Sequence, residues 1–205
     1  MRADASTVER VTLQEESLND SDTPAPRVRS RSRSLVEWLL IIVAAVLVSL
    51  LVRTFVFQTF FIPSGSMEPT LQIGDRIVVS KLSVELGTIH IGDILVFKAP
   101  AAVRTQCGDD VADLVKRVIG VPGDHLTSRG NTIYVNGAPL AQPWTHTEPL
   151  GRAIGNVTVP ANHYFMMGDN ESDSCDSRYW GTVSRSNIIG KAFIRIWPLS
   201  RIAFI

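Results

Sequence analysis

Cysteine, histidine and unbalanced charge are scarce in this chain: among 205 residues there are two cysteines, four histidines and a formal net charge of zero. Twenty basic and twenty acidic side chains cancel, so no overall field draws the protein to nucleic acid. Cys107 and Cys175 can form at most one bridge. His90, His125, His146 and His163 lie in loop or strand-edge contexts, and no Gly-x-Ser-x-Gly elbow accompanies them, so the histidine-activated serine of the commonest hydrolases has no support. A long amphipathic helix is missing, as is any internal repeat beyond a series of Gly-Asp turns. There is one long apolar run and no second.

What the chain has is a hydrophobic fraction of 45%, enough for one packed domain. Residues 1–34 are polar and charged, a composition that cannot offset the entropy of ordering, and the expectation is a disordered tail. Residues 35–57 are apolar except at Glu37, Ser49, Arg53 and Thr54; as a helix they extend roughly 34 Å, against ~30 Å of bilayer hydrocarbon. The length, the long preceding tail and the lack of an Ala-x-Ala site between Val52 and Pro69 predict a retained single transmembrane helix instead of a cleaved leader. Arginines 27, 29, 31 and 33 precede the run and only Arg53 closely follows it. The positive-inside rule then places the tail in the cytoplasm and residues 58–205 on the far side of the membrane.

Beyond the apolar run, short Val-, Ile- and Phe-rich segments at 76–80, 94–98, 114–121, 132–135, 164–167 and 191–196 read as strands. Gly-Asp pairs beginning at 74, 92, 108, 123 and 168 separate them, and Asn136-Gly137 is a hairpin signal because both residues tolerate positive φ. The predicted fold class is mostly β, a compact barrel or sandwich preceded by the single helix. In an extracytoplasmic domain the two cysteines could pair, and two free thiols fit equally well.

Two segments carry chemistry: Pro63-Ser64-Gly65-Ser66-Met67-Glu68-Pro69-Thr70-Leu71 and Lys116-Arg117-Val118-Ile119-Gly120-Val121-Pro122-Gly123-Asp124. A serine hydroxyl needs a base to become a nucleophile, and a lysine serves only when neutral. With a reference pKa of ~10.4 a lysine is about 0.4% neutral at pH 8, whereas one displaced to ~8 is half neutral, a difference of roughly 3 kcal/mol that burial can supply. Strand alternation in Leu114-Val115-Lys116-Arg117-Val118 puts Lys116 on the face of Leu114 and Val118, and Arg117 on the other, so Lys116 is expected inward and Arg117 outward. From local chemistry alone, a serine and lysine protease, a self-cleaving relative of that kind and an anchored β module that catalyses nothing all remain open.

With Gly74-Asp75-Arg76-Ile77, Gly168-Asp169-Asn170 and Asp176-Ser177-Arg178-Tyr179-Trp180-Gly181 added in order, the chain from about residue 35 to 198 resembles the bacterial type I signal peptidases. These are serine and lysine endopeptidases that remove signal peptides from exported preproteins. The resemblance implies Ser66 as nucleophile and Lys116 as general base. It also implies that the Ser66 N–H and Ser64 hydroxyl form the oxyanion hole and that Ser174 orients the lysine. Asp176 and Arg178 are implied as a salt-bridged scaffold nearby. Phe60, Ile62, Pro63, Met67, Leu71 and Val115 are implied to line shallow pockets for the small residues before the cut, with the substrate adding as a strand near residues 58–63. The chain has Glu171-Ser172-Asp173 where the family more usually has Arg-Asp-Asn.

The implied partners are preproteins and the lipid bilayer, with no nucleic acid and no cofactor. A calcium loop starting at Asp169 fails its template, having Ser174 at the sixth position and Trp180 at the twelfth, so no metal is expected. Oligomeric state and preprotein repertoire are not encoded in any feature of the sequence.

Overall fold

The computed structural model describes residues 31–145 and 149–205, so the expected tail, up to residue 30, and His146 lie outside the described residues. Within the first helix, α1 (Arg31–Phe55), the chain divides into one unit of residues 1–43 and a second of residues 44–205. The helix starts four residues before the apolar run and stops short of Phe57, which begins the first strand. Residues 35–50 are exposed along their whole length, with Leu35, Trp38 and Leu40 more than 60% accessible. Among the described residues, no helix is long and apolar enough to cross a membrane.

The second unit is mostly β, as the sequence predicts. In chain order its elements are β1 (Phe57–Phe61), β2 (Arg76–Ser80), α2 (Leu82–Glu85), β3 (Ile94–Lys98), α3 (Ala102–Cys107), β4 (Asp113–Gly120), β5 (His125–Arg129), β6 (Thr132–Val135) and β7 (Ala138–Pro139). They continue with β8 (Val157–Thr158), β9 (His163–Met167), α4 (Ser177–Trp180), β10 (Val183–Ser184), β11 (Ile188–Trp197) and β12 (Ala203–Phe204). Eight strands form one sheet in the order β1-β2-β11-β3-β4-β9-β10, with β12 paired to β11, and a smaller sheet runs β7-β6-β5-β8. Every pairing is antiparallel.

The larger sheet is covered on both faces, and the sequence of β3 shows why. Ile94 and Val96 enter one apolar cluster with Ile62, Met67, Leu71, Ile77 and Val79, while Leu95 and Phe97 enter another with Val118, Tyr164, Met166 and Trp180. A strand buried on both sides reads as a continuous apolar run instead of an alternating one. The smaller sheet closes over a third cluster around Ile119, Leu126, Ile133 and Phe165. At Asn136 and Gly137, φ values of 53° and 83° make the predicted tight turn, joining β6 to β7 with Val135 opposite Ala138.

β1 lies at the edge of the larger sheet, bonded to β2 from Phe57 opposite Ser80 through Phe61 opposite Arg76. The stretch following it, Ile62–Gly65, leads directly to Ser66.

Candidate active site

Ser66 sits in a single 3-10 turn, Gly65–Met67, immediately beyond the edge strand. Buried anchors fix both sides of it: Ile62 before, and Met67 and Leu71 after, all at most 2% exposed. The Glu68 N–H donates to Gly65 O at 3.0 Å, and the Leu71 N–H donates to Met67 O at 2.9 Å. Ser66 is thereby held on a rigid apex with its hydroxyl at the surface of a cleft.

Lys116 comes from β4, inside the sheet between β3 and β9. Its Nζ donates a hydrogen bond of 2.6 Å to Ser66 Oγ, although fifty residues separate the two in sequence. Lys116 is 2% exposed. Burial lowers its pKa to about 8; Asp176 opposes that displacement, Arg178 adds to it, and Asp169 and Asp109 oppose it more weakly. Near neutral pH an appreciable share of the amine is therefore uncharged, with a lone pair free to accept the Ser66 proton.

Ser64 Oγ lies 3.4 Å from Ser66 Oγ at the exposed mouth of the cleft. Ser174 is buried in the same cleft, but its Oγ makes no hydrogen bond, so the expected contact to Lys116 is not formed. The Ser174 side chain instead packs against Gly168. A Cβ at residue 168 would collide with Ser66 O and with Ser174 Oγ and Cβ. Only glycine lets β9 leave the sheet this close to the Ser66 backbone.

The cleft around Ser64, Ser66, Lys116, Ser174 and Tyr179 has a volume of about 410 Å³. It adjoins an apolar groove of about 400 Å³ lined by Phe60, Ile62, Pro63, Met67, Val96 and Val115. Five of the six residues expected to line substrate pockets border this groove. Leu71 does not: it is fully buried in the cluster with Ile62 and Met67, where it supports the groove wall from behind.

Two buried ion pairs brace the site. Arg178 donates from Nε and Nη2 to Asp176 at 2.7 Å each, with both side chains inaccessible, and Asp176 also accepts from Gly168 N and Arg178 N. Arg178 reaches Leu150 O as well, tying the smaller sheet's long connection to this corner. Arg117 forms the second pair, and here the expectation of an outward cation is corrected. It does lie on the opposite face from Lys116, but that face is covered too. Its guanidinium donates to Asp169 at 2.7 and 2.6 Å and to Gly92 O at 2.7 Å, and Trp144 lies 4.6 Å from it. Thr70 Oγ1 donates to the same Asp169 carboxylate, linking this pair to the Ser66 loop. Glu171, the departure noted in the sequence, is buried, and burial raises its pKa against the pull of Arg178 and Gln142.

Cys107 and Cys175, left open by the sequence, form a disulfide with a Cα separation of 6.1 Å. It ties the end of α3 to the segment carrying Ser174, and both cysteines border the cleft. Sequence reasoning quoted Thr70 and Asn170 within their segments without giving either a role, and did not single out Trp144. For Asn170, the signal was its place directly after Gly168-Asp169; for Trp144 there was none, because it arrives from the smaller sheet's connection.

Comparison with known proteins gives the family. Residues 35–197 match the family model described as signal peptidase, peptidase S26. A probable signal peptidase I-2 of Synechocystis sp. is 40% identical over 163 residues, covering 80% of this chain and 73% of its own length. The signal peptidase I of Leptolyngbya laminosa is 36% identical over 193 residues, covering 90% of this chain and 95% of its own. A signal peptidase I structure from Enterococcus faecalis V583 covers 51% of this chain at 28% identity with a TM-score of 0.42, too loose a superposition to argue from. The Ser66 and Lys116 segments both fall inside the matched span, and the chain belongs to the signal peptidase, peptidase S26, family.

Proposed function

We propose that the protein is a signal peptidase I, a serine endopeptidase that cleaves signal peptides from exported preproteins after small residues, with Ser66 as nucleophile and neutral Lys116 as general base. The observation that carries this reading is the buried amine of Lys116 at 2.6 Å from Ser66 Oγ. Neutral Nζ accepts the Ser66 proton as Oγ attacks the carbonyl carbon before the cut. The resulting oxyanion is met by the Ser66 N–H and the Ser64 hydroxyl, and one such donor is worth about a hundred- to a thousandfold in rate. The ammonium of Lys116 then protonates the departing amine, which becomes the new N-terminus of the exported protein. Water, deprotonated by the regenerated Lys116, opens the Ser66 ester and releases the signal peptide.

Ser174, whose buried hydroxyl has no partner, is the group available to hold the lysine when Ser66 turns toward substrate. Asp176 and Arg178 keep this corner rigid. The apolar groove beside Phe60, Ile62, Pro63, Met67 and Val115 receives the small side chains at the first and third positions before the cut, while Leu71 backs it. An extended substrate pairs with the free edge of β1. The apolar run within α1 acts as a single-pass anchor, with its arginine-flanked N-terminus in the cytoplasm and the β unit outside. Support for the anchor comes from the continuous exposure of residues 35–50 and from the one-sided arginines.

Mass spectrometry of a preprotein incubated with the wild-type protein in detergent tests the reading. One cut after a small residue is expected, with no cut by Ser66→Ala or Lys116→Ala proteins of unchanged melting temperature. Turnover by either variant rejects the dyad. Failure of the folded wild type to cut would favour an anchored binding module, and cutting confined to its own chain would favour a self-cleaving protease.

A further inference from the structure

Asn170 is half-buried and touches the Ser66 turn twice. Its backbone N–H donates to Ser66 O at 3.2 Å, and its Nδ2 donates to Gly65 O at 3.3 Å. Gly65 O can only accept, so the amide nitrogen of Asn170 faces it, and the amide oxygen faces Ser172 Oγ, which donates to it at 3.2 Å. The contacts are possible because Gly168 brings the chain against Ser66 O, where any larger residue would clash.

Gly65 O and the Ser66 N–H belong to one peptide unit. That unit is planar and trans, so its carbonyl and its N–H point in opposite directions. A hand on the carbonyl is therefore a hand on the N–H. Holding Gly65 O toward Asn170 turns the Ser66 N–H away from it, on the same turn whose Ser66 Oγ lies 3.4 Å from Ser64 Oγ. The Glu68 N–H holds Gly65 O at 3.0 Å from within the turn, and Asn170 adds a second donor from outside it, fixing the plane at a glycine whose backbone torsions no Cβ restricts.

We propose that Asn170 is a positioning residue for the oxyanion hole, acting through the Gly65–Ser66 peptide plane; the proposal rests on the reading of Ser66 as nucleophile. Asn170 does not touch substrate or Lys116 in this scheme. Its removal should lower the rate of the chemical step and leave ground-state binding and the lysine's titration unaltered.

The test is steady-state cleavage of a preprotein by the full chain carrying Asn170→Ala, Asn170→Gln or Asn170→Asp. With Asn170→Ala, kcat is expected to fall about ten- to a hundredfold, part of the worth of one oxyanion donor. KM should stay within twofold, and the midpoint of the rate against pH should not move. Asn170→Gln, which keeps an amide donor, recovers most of the loss. A kcat within twofold of wild type in Asn170→Ala overturns the proposal, as does a loss expressed in KM or in a moved pH midpoint. Should Asn170→Ala fail to fold, the other two variants decide, because only Gln retains the donor; equal rates in Gln and Asp overturn it. A wild-type protein that cuts nothing would bring down the proposed function itself, a result distinct from any of these.

Discussion

At the residue scale, Lys116 dominates because its environment works against its charge. The folded-state pKa of about 8 lies below the ordinary 10.5, so the unfolded chain binds more protons than the folded one across that interval, and the stability contributed by this site rises with pH there. Below about pH 8 the folded protein carries the full penalty, about 3 kcal/mol. Two outcomes are expected from the one displacement. The cleavage rate climbs as pH rises through about 8 and then levels, since only the neutral amine is a base. Lys116→Met, inactive, is more stable to denaturant than wild type at pH 7 by up to about 3 kcal/mol, and the difference shrinks as pH approaches 10.5. A flat rate from pH 6 to 9, or a Met variant less stable than wild type at neutral pH, would remove the buried-amine account. Alternation along β4 was enough to put Lys116 and Arg117 on opposite faces, because that is a local property of a strand. That both faces are covered is not local: Asp169 and Trp144 arrive from 52 and 27 residues downstream, so Arg117 could not be read as buried from its own segment.

At the scale of elements, the strands with dense Val, Ile and Phe were legible, within about a residue at β2, β3, β4, β6 and β9. β11 extends further at both ends than its apolar centre suggested. β1 was hidden at its start by the apolar run it continues, and β5, with His125, Ser128 and Arg129, carries no strand pattern of its own. The four-residue α4 could not announce itself by periodicity; it exists because Asp176 caps it by accepting from the Arg178 N–H. The disulfide adds a covalent link between α3 and the stretch leading into α4, closing a loop of 68 residues. On the chain-entropy argument, replacing both Cys107 and Cys175 by Ser should lower the unfolding free energy by about 4 kcal/mol. Denaturant titration of the double variant checks this, and a loss below about 1 kcal/mol would mean that the link restrains the unfolded chain far less than its loop length implies.

At the scale of the whole molecule, a chain with no net charge has no long-range field to gather its substrates, so proximity must come from elsewhere. Under the proposed anchoring by α1, the protease and a preprotein held in the same bilayer meet in two dimensions, which raises their effective concentration without any new contact. The hydrogen bonds of the edge strand do not draw on α1. The Lys81 N–H donates to Val56 O, and the edge strand starts at Phe57, so a chain beginning at Val56 retains every described hydrogen bond of β1 to β2. Residues 56–205 are therefore expected to cut a soluble peptide with kcat/KM within about threefold of the full chain, since the dyad and groove are intact. On a preprotein inserted in vesicles the same truncation should be slower than the full chain by at least about tenfold, because only the anchored enzyme shares the substrate's membrane. Parallel assays on the two substrates separate the contributions: equal losses on both would mean that α1 supports the fold of the catalytic unit, and no loss on either would mean that the apolar run gives the enzyme no advantage at a membrane.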